Sequence, residues 1–224
     1  MRKTKAEALQ TRESLLDAAL EVFYQRGVAR ASLQEIAKTA GMTRGAVYWH
    51  FKNKEDIFDA LFQRQFSGTR EKQLNEDIIT GTTDALTTLQ QTTAQKFKQM
   101  AHDRAYYQFF HVIQLNCEYT DDNQTISRLL QKYRREWHDH LQTVFQLCLQ
   151  QKSLPQNTDI TLAALYFQSL MLGLTDVWLS NPQQFDLDDA AERLIAVAID
   201  TLRSSPHFAK KPPAEQQNDS PLTA

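Results

Sequence analysis

Apolar residues recur every three or four positions along most of this chain, which is the spacing of one face of a helix. The first such segment precedes Gly27, and its apolar face contains Leu15, Leu16, Ala19, Leu20 and Phe23. Ser32 and Glu35 then have the spacing of a capping box, in which each side chain accepts a hydrogen bond from the backbone of the other. This pair predicts a second, short helix that Gly41 ends.

Two more helices are predicted immediately afterwards. Thr43 is a favourable N-cap for a short third helix that runs toward Phe51. Asn53, three residues before Asp56, predicts the cap of a longer fourth helix, whose apolar residues are Ile57, Phe58, Leu61 and Phe62. The first four elements are therefore all helical, and the two in the middle are short.

Beyond residue 68 the helical pattern continues with a different composition. Thr- and Gln-rich stretches around 80–95 have a weaker pattern, with an inner face of Leu86, Leu89, Phe97 and Met100. Further helices are predicted over 103–117, 123–152, 159–179 and 187–202. From Ser204 the chain is polar and rich in Pro, with too little apolar surface to order it.

The pattern predicts an all-α fold with two parts. Residues 1–53 form a three-helix helix-turn-helix domain with an N-terminal arm over 1–9, residues 54–203 form a larger helical domain, and residues 204–224 form a disordered tail. With 224 residues, of which 42% are apolar and only six each are Gly and Pro, the composition favours long helices over a strand-and-turn fold.

Composition also bears on location and redox state. No apolar stretch approaches the roughly 20 residues that span a bilayer, and no apolar segment follows the basic start, so we expect a cytoplasmic protein. Cys117 and Cys148 stand about thirty residues apart in predicted helices, and buried thiols are a better interpretation than a disulfide or a zinc site. No cofactor is expected.

The net charge of −2 is unevenly distributed along the chain. Residues 1–64 contain 11 Lys and Arg against 8 Asp and Glu, whereas the remainder contains 14 against 19. A basic head on an acidic body indicates that any polyanion is bound by the head.

The second and third helices have the features of a helix-turn-helix. Small residues at the turn, Ala37 and Gly41, allow the second helix to be held across the first, so that the third can enter a DNA major groove about 12 Å wide. Val47 and Phe51 can face the core, so that Thr43, Arg44, Gly45 and Tyr48 face outward. Lys52 and Lys54 follow, where the N-terminus of the fourth helix offers a phosphate site.

Several of these residues have a structural alternative. Tyr48 either packs in the core or, as we favour, contacts phosphate, and His50 either bonds locally or contacts DNA. Trp49 is expected to pack partly on the first helix. Lys3 and Lys5 are either a solvated end or a basic arm that follows the minor groove. The predicted DNA-binding residues are Lys3, Lys5, Ser32, Thr43, Arg44, Gly45, Tyr48, Trp49, His50, Lys52 and Lys54.

The segment ASLQEIAKTAGMTRGAVYWHFKNKEDIFDALF resembles the signature region of the TetR family of bacterial repressors, with its glycines, aromatics and charges in register over about fifty residues. The opening RKTKAEALQTR is similar to the multidrug-efflux repressors of the AcrR/MtrR type. The family resemblance implies an all-α homodimer that binds a double-stranded operator and releases it when its C-terminal domain binds an inducer. The narrower resemblance implies control of an efflux-pump operon.

We expect the inducer to be small and lipophilic, with an aromatic cation as one candidate. The predicted ligand-binding residues are Phe66, Phe97, Phe110, Gln114, Tyr133, Trp137, Phe167 and Asp176. Asp176 is either buried or solvent-facing near Asn181. A buried carboxylate there would be neutral, paired with an internal Arg or Lys, or waiting for a cationic guest. The resemblance departs at this position, where an aromatic is expected. The last two helices should form the dimer interface through Leu165, Leu172, Leu179, Leu194, Val197 and Ile199.

Other classes of function fit less well. An enzyme would need a nucleophile–base pair or a metal set, and the sequence has no GxSxG, HExxH or phosphate loop. An adaptor that has lost DNA affinity would not need Thr43, Arg44 and Tyr48 together. A regulator that senses a fatty-acyl or other metabolite stays open as the alternative.

Overall fold

The computed structural model describes residues 4–66, 83–116 and 124–210, which form nine α-helices and no strand. The helices are α1 Lys5–Arg26, α2 Leu33–Thr39, α3 Arg44–His50, α4 Lys54–Phe66, α5 Ala85–His102, α6 Arg104–Leu115, α7 Gln124–Gln150, α8 Ile160–Ser180 and α9 Leu187–Ser204. The prediction of an all-α fold is confirmed.

The starts of the first helices are set by polar caps. Thr4 with Glu7, and Ser32 with Glu35, form complete capping boxes, and Thr43 accepts a hydrogen bond from Ala46 N. Because the cap at Thr4 starts α1 at Lys5, residues 5–9 are helical and do not belong to the N-terminal arm expected over 1–9. Residues 1–3, with Lys3, lie outside the described part of the chain.

The first four helices enclose one core, which we call the head core. Its fully buried side chains include Phe23 of α1, Ile36 of α2, Val47 of α3 and Phe58 of α4. The Phe23 and Phe58 rings are 6.2 Å apart, so α1 and α4 are in direct contact. This packing holds the short helices α2 and α3 against the longer helices α1 and α4.

The remaining helices enclose a second core, the body core, between α5, α7, α8 and α9. Its largest buried rings are Phe145 of α7 and Phe167 of α8, whose centroids are 6.2 Å apart. The predicted inner face of α5 lies here, since Leu86, Leu89, Phe97 and Met100 are all buried.

Two helices contribute to both cores. Phe109 and Val112 of α6 pack in the head core, whereas Tyr106 of the same helix packs in the body core. The 27-residue α7 behaves likewise, with Ile126 in the head core and Leu141 in the body core. The two parts of the chain therefore share apolar contacts across a wide boundary, and α4 is not their sole connection.

The end of α9 differs from the predicted tail. A 3₁₀ turn, Pro206–Phe208, follows Ser205, and the Phe208 ring lies 5.2 Å from that of Tyr166. Lys210 N donates to Asn157 O at 2.7 Å. Residues 205–210 are thus fixed on the body, and the rest of the predicted tail lies outside the described residues.

Helix α8 is long and apolar enough, by length and composition, to cross a membrane. The sequence interpretation missed it because Gln168, Thr175 and Asp176 interrupt the apolar run. One face of α8 packs in the body core and the opposite face, with Leu165 and Val177, is exposed. It is therefore a core helix with an apolar outer face.

Candidate nucleic-acid interface and ligand site

Helix α3 has one buried edge and one open face. Val47 is fully buried and Phe51 is 2% exposed, so these two residues anchor the helix to the head core as predicted. The opposite face is exposed and carries Thr43, Arg44, Gly45 and Tyr48. The rigid anchor and the open face together suit a helix that enters a groove.

Arg44 and Tyr48 form a pair on that open face. An Arg44 Nη donates to the Tyr48 hydroxyl at 2.9 Å, and the guanidinium carbon lies 5.3 Å from the centre of the Tyr48 ring. Because the two residues are one helical turn apart, the pair holds the guanidinium over the exposed face, where its remaining N–H groups can reach an acceptor.

Trp49 is 70% exposed, and the expectation that it packs on α1 is wrong. Its ring lies 4.4 Å from the imidazole of His50 in an edge-on arrangement. The reason is rotational: Val47 and Phe51 take the buried edge of this two-turn helix, which turns position 49 outward. The open face therefore carries two exposed aromatic rings.

The two lysines after α3 differ in their surroundings. Lys52 is exposed, whereas the Lys54 ammonium donates to the backbone oxygen of Ala29 at 2.9 Å in a part-buried setting. Lys54 therefore ties the start of α4 to the turn after α1. Ser32 is also engaged, because its hydroxyl serves the α2 cap through Glu35. Lys5 is exposed in the first turn of α1.

The predicted ligand residues lie in different surroundings. Phe66, at the end of α4, is 36% exposed and lies 6.5 Å from the Phe110 ring. The Lys96 ammonium lies 5.7 Å from the centre of the Phe66 ring. Phe97 and Phe167 are core residues, and Trp137 is half-buried against the body core.

Asp176 is exposed and does not form the buried carboxylate considered above. Its Oδ1 accepts a hydrogen bond from the Gln114 side chain at 3.3 Å, which joins α8 to α6. Within the described parts of the body, the buried polar side chains are uncharged: Thr88, Gln108, Thr158, Gln168 and Thr175. Each of these side chains already has a hydrogen-bond partner within the protein.

A polar layer between α7 and α8 was not identified from the sequence. The buried Gln168 donates to Arg134 O at 2.9 Å, and its Oε1 lies 3.2 Å from His138 Nδ1. Gln142 contacts the other His138 nitrogen at 3.2 Å and donates to Thr161 at 3.1 Å. An amide in the middle of the apolar α8 was the available signal.

The contact between head and body was also missed. Glu21 of α1 accepts hydrogen bonds from Gln108 at 2.7 Å and from Arg104 at 3.3 Å, both on α6. The Gln108 amide, aided by the Arg104 guanidinium, lowers the pKa of Glu21. A carboxylate of the head is thus held by the helix that also reaches the body core.

The face expected to form the dimer interface is partly open. Leu165, Leu194 and Val197 are 53%, 38% and 58% exposed, and Leu172 is half-buried. Leu179 and Ile199 are buried in the body core, so their assignment to the interface is corrected. Between α8 and α9 lies an apolar groove of about 410 Å³, which is lined by Ser169, Leu170, Gly173, Leu174, Val177, Phe185, Ala190 and Leu194.

Within the described residues, the structure has neither a cluster of metal ligands nor an exposed thiol. Residues 4–66, 83–116 and 124–210 contain no group of three His, Cys, Asp or Glu side chains that could hold a metal ion. Cys148 is buried, and burial raises the pKa of its thiol to about 11. Cys117 lies outside the described residues.

Comparison with known proteins identifies both halves of the chain. Residues 15–61 match the tetR family of bacterial regulatory proteins. Residues 84–204 match the C-terminal region of the MAATS-type transcriptional repressors.

Individual relatives cover nearly the whole chain. The transcriptional regulator AcrR of Shigella flexneri is 33% identical over 200 residues, which are 89% of this chain and 92% of AcrR. The regulator TtgR of Pseudomonas putida is 31% identical over 94% of this chain and all of its own length. The structure of NalD, the secondary repressor of the MexAB-OprM multidrug efflux pump in Pseudomonas aeruginosa, aligns with a TM-score of 0.75 at 27% identity, covering 90% of this chain and all of NalD.

Proposed function

The chain belongs to the tetR family of bacterial regulatory proteins, and from this premise we propose that it is a ligand-responsive repressor that binds a palindromic operator as a dimer. The observation that carries the proposal is the outer face of α3. There Arg44, Tyr48 and Trp49 are exposed on a helix that Val47 and Phe51 hold against the head core.

The exposed residues have different roles in this proposal. Arg44 reads a base edge, for which guanine, with two acceptors in the major groove, suits its forked donors. Tyr48, Trp49, His50 and Lys52 contact the backbone and fix the register, as do Thr43 and Gly45 at the start of the helix. Lys54 contributes indirectly, because its ammonium donates to the Ala29 oxygen and so holds the start of α4 against the turn after α1.

A dimer is supported by the uncovered face of α8 and α9. Leu165, Leu194 and Val197 are exposed apolar side chains beside the groove of about 410 Å³, and exposed apolar patches mark sites of protein association. A second copy of the chain, related by a twofold axis, would cover it with the same residues. The twofold axis would also give the operator its palindromic form.

The proposed inducer is a small lipophilic molecule that enters the body near the Phe66 and Phe110 rings. A ligand releases the operator only by the difference between its affinities for the two conformations of the dimer. The case for a cation is weak, since it depended on Asp176, which is exposed. The buried polar side chains of the described parts of the body are uncharged, which favours a neutral guest.

We further propose that the protein acts in the cytoplasm of a bacterium and that it controls an efflux-pump operon. Its support is the likeness to NalD, which represses a multidrug efflux pump. The alternative, a sensor of fatty-acyl compounds, has support from a fold similar to that of FadR from Bacillus subtilis in complex with stearoyl-CoA.

An in vitro selection followed by gel shifts tests the proposal. Purified protein selects duplexes from a random library, and the enriched duplex is then titrated with protein alone, with ethidium, with a neutral chlorinated phenol or with stearoyl-CoA. We expect a palindromic duplex that the chlorinated phenol releases.

Three outcomes separate the alternatives. Release by stearoyl-CoA alone supports the fatty-acyl sensor, and release by ethidium alone restores the cationic inducer. Failure to enrich any duplex contradicts DNA binding itself.

A further inference from the structure

Tyr133 of α7 contacts α4 in three ways. Its ring lies flat on that of Phe62, with centroids 4.1 Å apart and planes within 5°. Its hydroxyl donates to Asp59 Oδ1 at 2.7 Å and accepts from Gln63 Nε2 at 3.0 Å. A half-buried phenol that uses both its donor and an acceptor position fixes its neighbour in distance and in rotation.

The position of Tyr133 along α7 adds to this observation. Leu130, one turn earlier, packs in the head core, and Trp137, one turn later, packs against the body core. Tyr133 therefore lies where α7 passes from one core to the other. At this point α7 is in direct contact with α4, through the Tyr133 ring and hydroxyl.

Helix α4 is in turn connected closely to α3. Only Phe51, Lys52 and Asn53 separate the two helices, and Phe51 is buried in the head core. A rotation of α4 therefore moves α3 as well. In a twofold dimer, such a movement changes the distance between the two recognition helices.

We propose that Tyr133 is a positioning residue that couples the body to the recognition helix by holding α4 against α7. The inference rests on the proposed function, because it assumes that the head binds DNA. It replaces the sequence-based assignment of Tyr133 to the ligand site. The ring stack aligns the helices, and the hydroxyl, bonded to Asp59 and Gln63, sets their register.

The test is hydrogen exchange of the full-length dimer with and without saturating amounts of the selected duplex. DNA bound at the head should slow amide exchange in 137–150, the body half of α7, in the wild-type protein. Tyr133→Phe keeps the stack and removes both hydrogen bonds. It should lose about half or more of that DNA-induced protection while it still binds the duplex.

Two further variants keep the experiment decisive. Tyr166→Phe removes a hydroxyl from α8, where the ring packs on Phe208 away from the head, and should retain the full protection. Asp59→Ala removes the acceptor from the other side of the contact. It leaves the Gln63 bond in place, so it should lose part of the protection that Tyr133→Phe loses, and the double variant should lose no more than Tyr133→Phe alone.

Several results would overturn the proposal while leaving DNA binding intact. These are full protection in Tyr133→Phe, an equal loss in Tyr166→Phe, additive losses in the double variant, or no protection of 137–150 in the wild-type complex. If Tyr133→Phe does not fold, Asp59→Ala decides alone: a partial loss of the protection supports the proposal, and full protection overturns it. A selection that yields no duplex contradicts the proposed function instead and removes the premise.

Discussion

Asn116, which follows α6, donates its side-chain amide to the backbone oxygen of Tyr24 in the last turns of α1 at 2.7 Å. Its own carbonyl oxygen accepts from Val28 N at 3.2 Å. Gly27 lies between these contacts with a φ of +77°, and a Cβ there would lie 3.5 Å from the same Asn116 oxygen. The end of α1 is therefore held on both sides by one residue of the body.

Asn116→Ala should lower the free energy of unfolding by about 1–2 kcal/mol, because the Tyr24 carbonyl loses its side-chain donor in a part-buried place. Urea denaturation measures the change. Asn181→Ala, at an exposed site after α8, is the matched control and should change stability by less than about 0.5 kcal/mol. Equal effects of the two substitutions would contradict this account.

Arg44→Ala should weaken binding to the selected duplex by about 1–3 kcal/mol and relax the base preference at one position in each half-site. Binding of a set of single-base variants of the duplex measures both effects. Arg135→Ala removes a guanidinium from the exposed surface of α7 and should change neither. Unchanged discrimination by Arg44→Ala would show that another residue reads the base.

Lys52→Ala should change DNA binding, whereas Lys54→Ala should change the stability of the fold. Loss of the exposed Lys52 removes a phosphate contact, so that the dependence of log K on log salt flattens by about one unit, equally for all sequences. Loss of Lys54 leaves the Ala29 oxygen without its donor and should lower stability by about 1 kcal/mol. Salt titrations and urea curves of both variants test this, and identical salt slopes would refute the division.

Val197→Arg should produce a monomer that no longer binds the duplex, because a charge would be buried in the middle of the proposed apolar interface. Sedimentation at micromolar concentration measures the association. Leu9→Arg, on the exposed side of α1, is the control for a charge placed at an exposed leucine and should stay dimeric. A dimeric Val197→Arg protein would move the interface elsewhere.

His111 should make the protein less stable in mild acid. It lies between the rings of Tyr24, at 4.8 Å, and Tyr107, at 5.8 Å, and burial lowers the pKa of its imidazole below 6.5. Since the unfolded chain then takes up the proton first, the free energy of unfolding falls as the pH drops from 6.5 toward the lower pKa of the folded state. Above that window its contribution is constant.

Urea denaturation at a series of pH values, from about 7.5 to about 5, measures this effect. His111→Gln should have a flatter pH dependence than the wild type, and His207→Gln, at an exposed site, should follow the wild type. If the curves of His111→Gln and the wild type remain parallel, another group is responsible for the acid sensitivity.

The sequence was sufficient for features that depend on spacing within one helix. The caps at Ser32, Thr43 and Asn53, and the buried edge at Val47 and Phe51, follow from local hydrogen bonding and from a period of 3.6 residues.

Features that depend on neighbouring helices could not be derived in the same way. Lys54 has the composition of a surface residue, and only the fold brings the Ala29 carbonyl within its reach. Leu179 has the same apolar character as Leu165, and only the packing of α8 decides which of them is covered. The sequence indicates only that Tyr133 is an aromatic residue in an apolar stripe. Its partners on α4 are determined by the fold.

The apolar residues that α6 and α7 place beneath the first four helices bear on how this family can be recombined. A head cut out at Phe66 and joined to another regulator would lose Phe109, Val112, Ile126 and Leu130 from its core. A chimaera that exchanges operator preference therefore has to carry these four positions along with the head, or substitute the recognition helix alone. The head is therefore not an independently exchangeable domain, because residues of α6 and α7 complete its core.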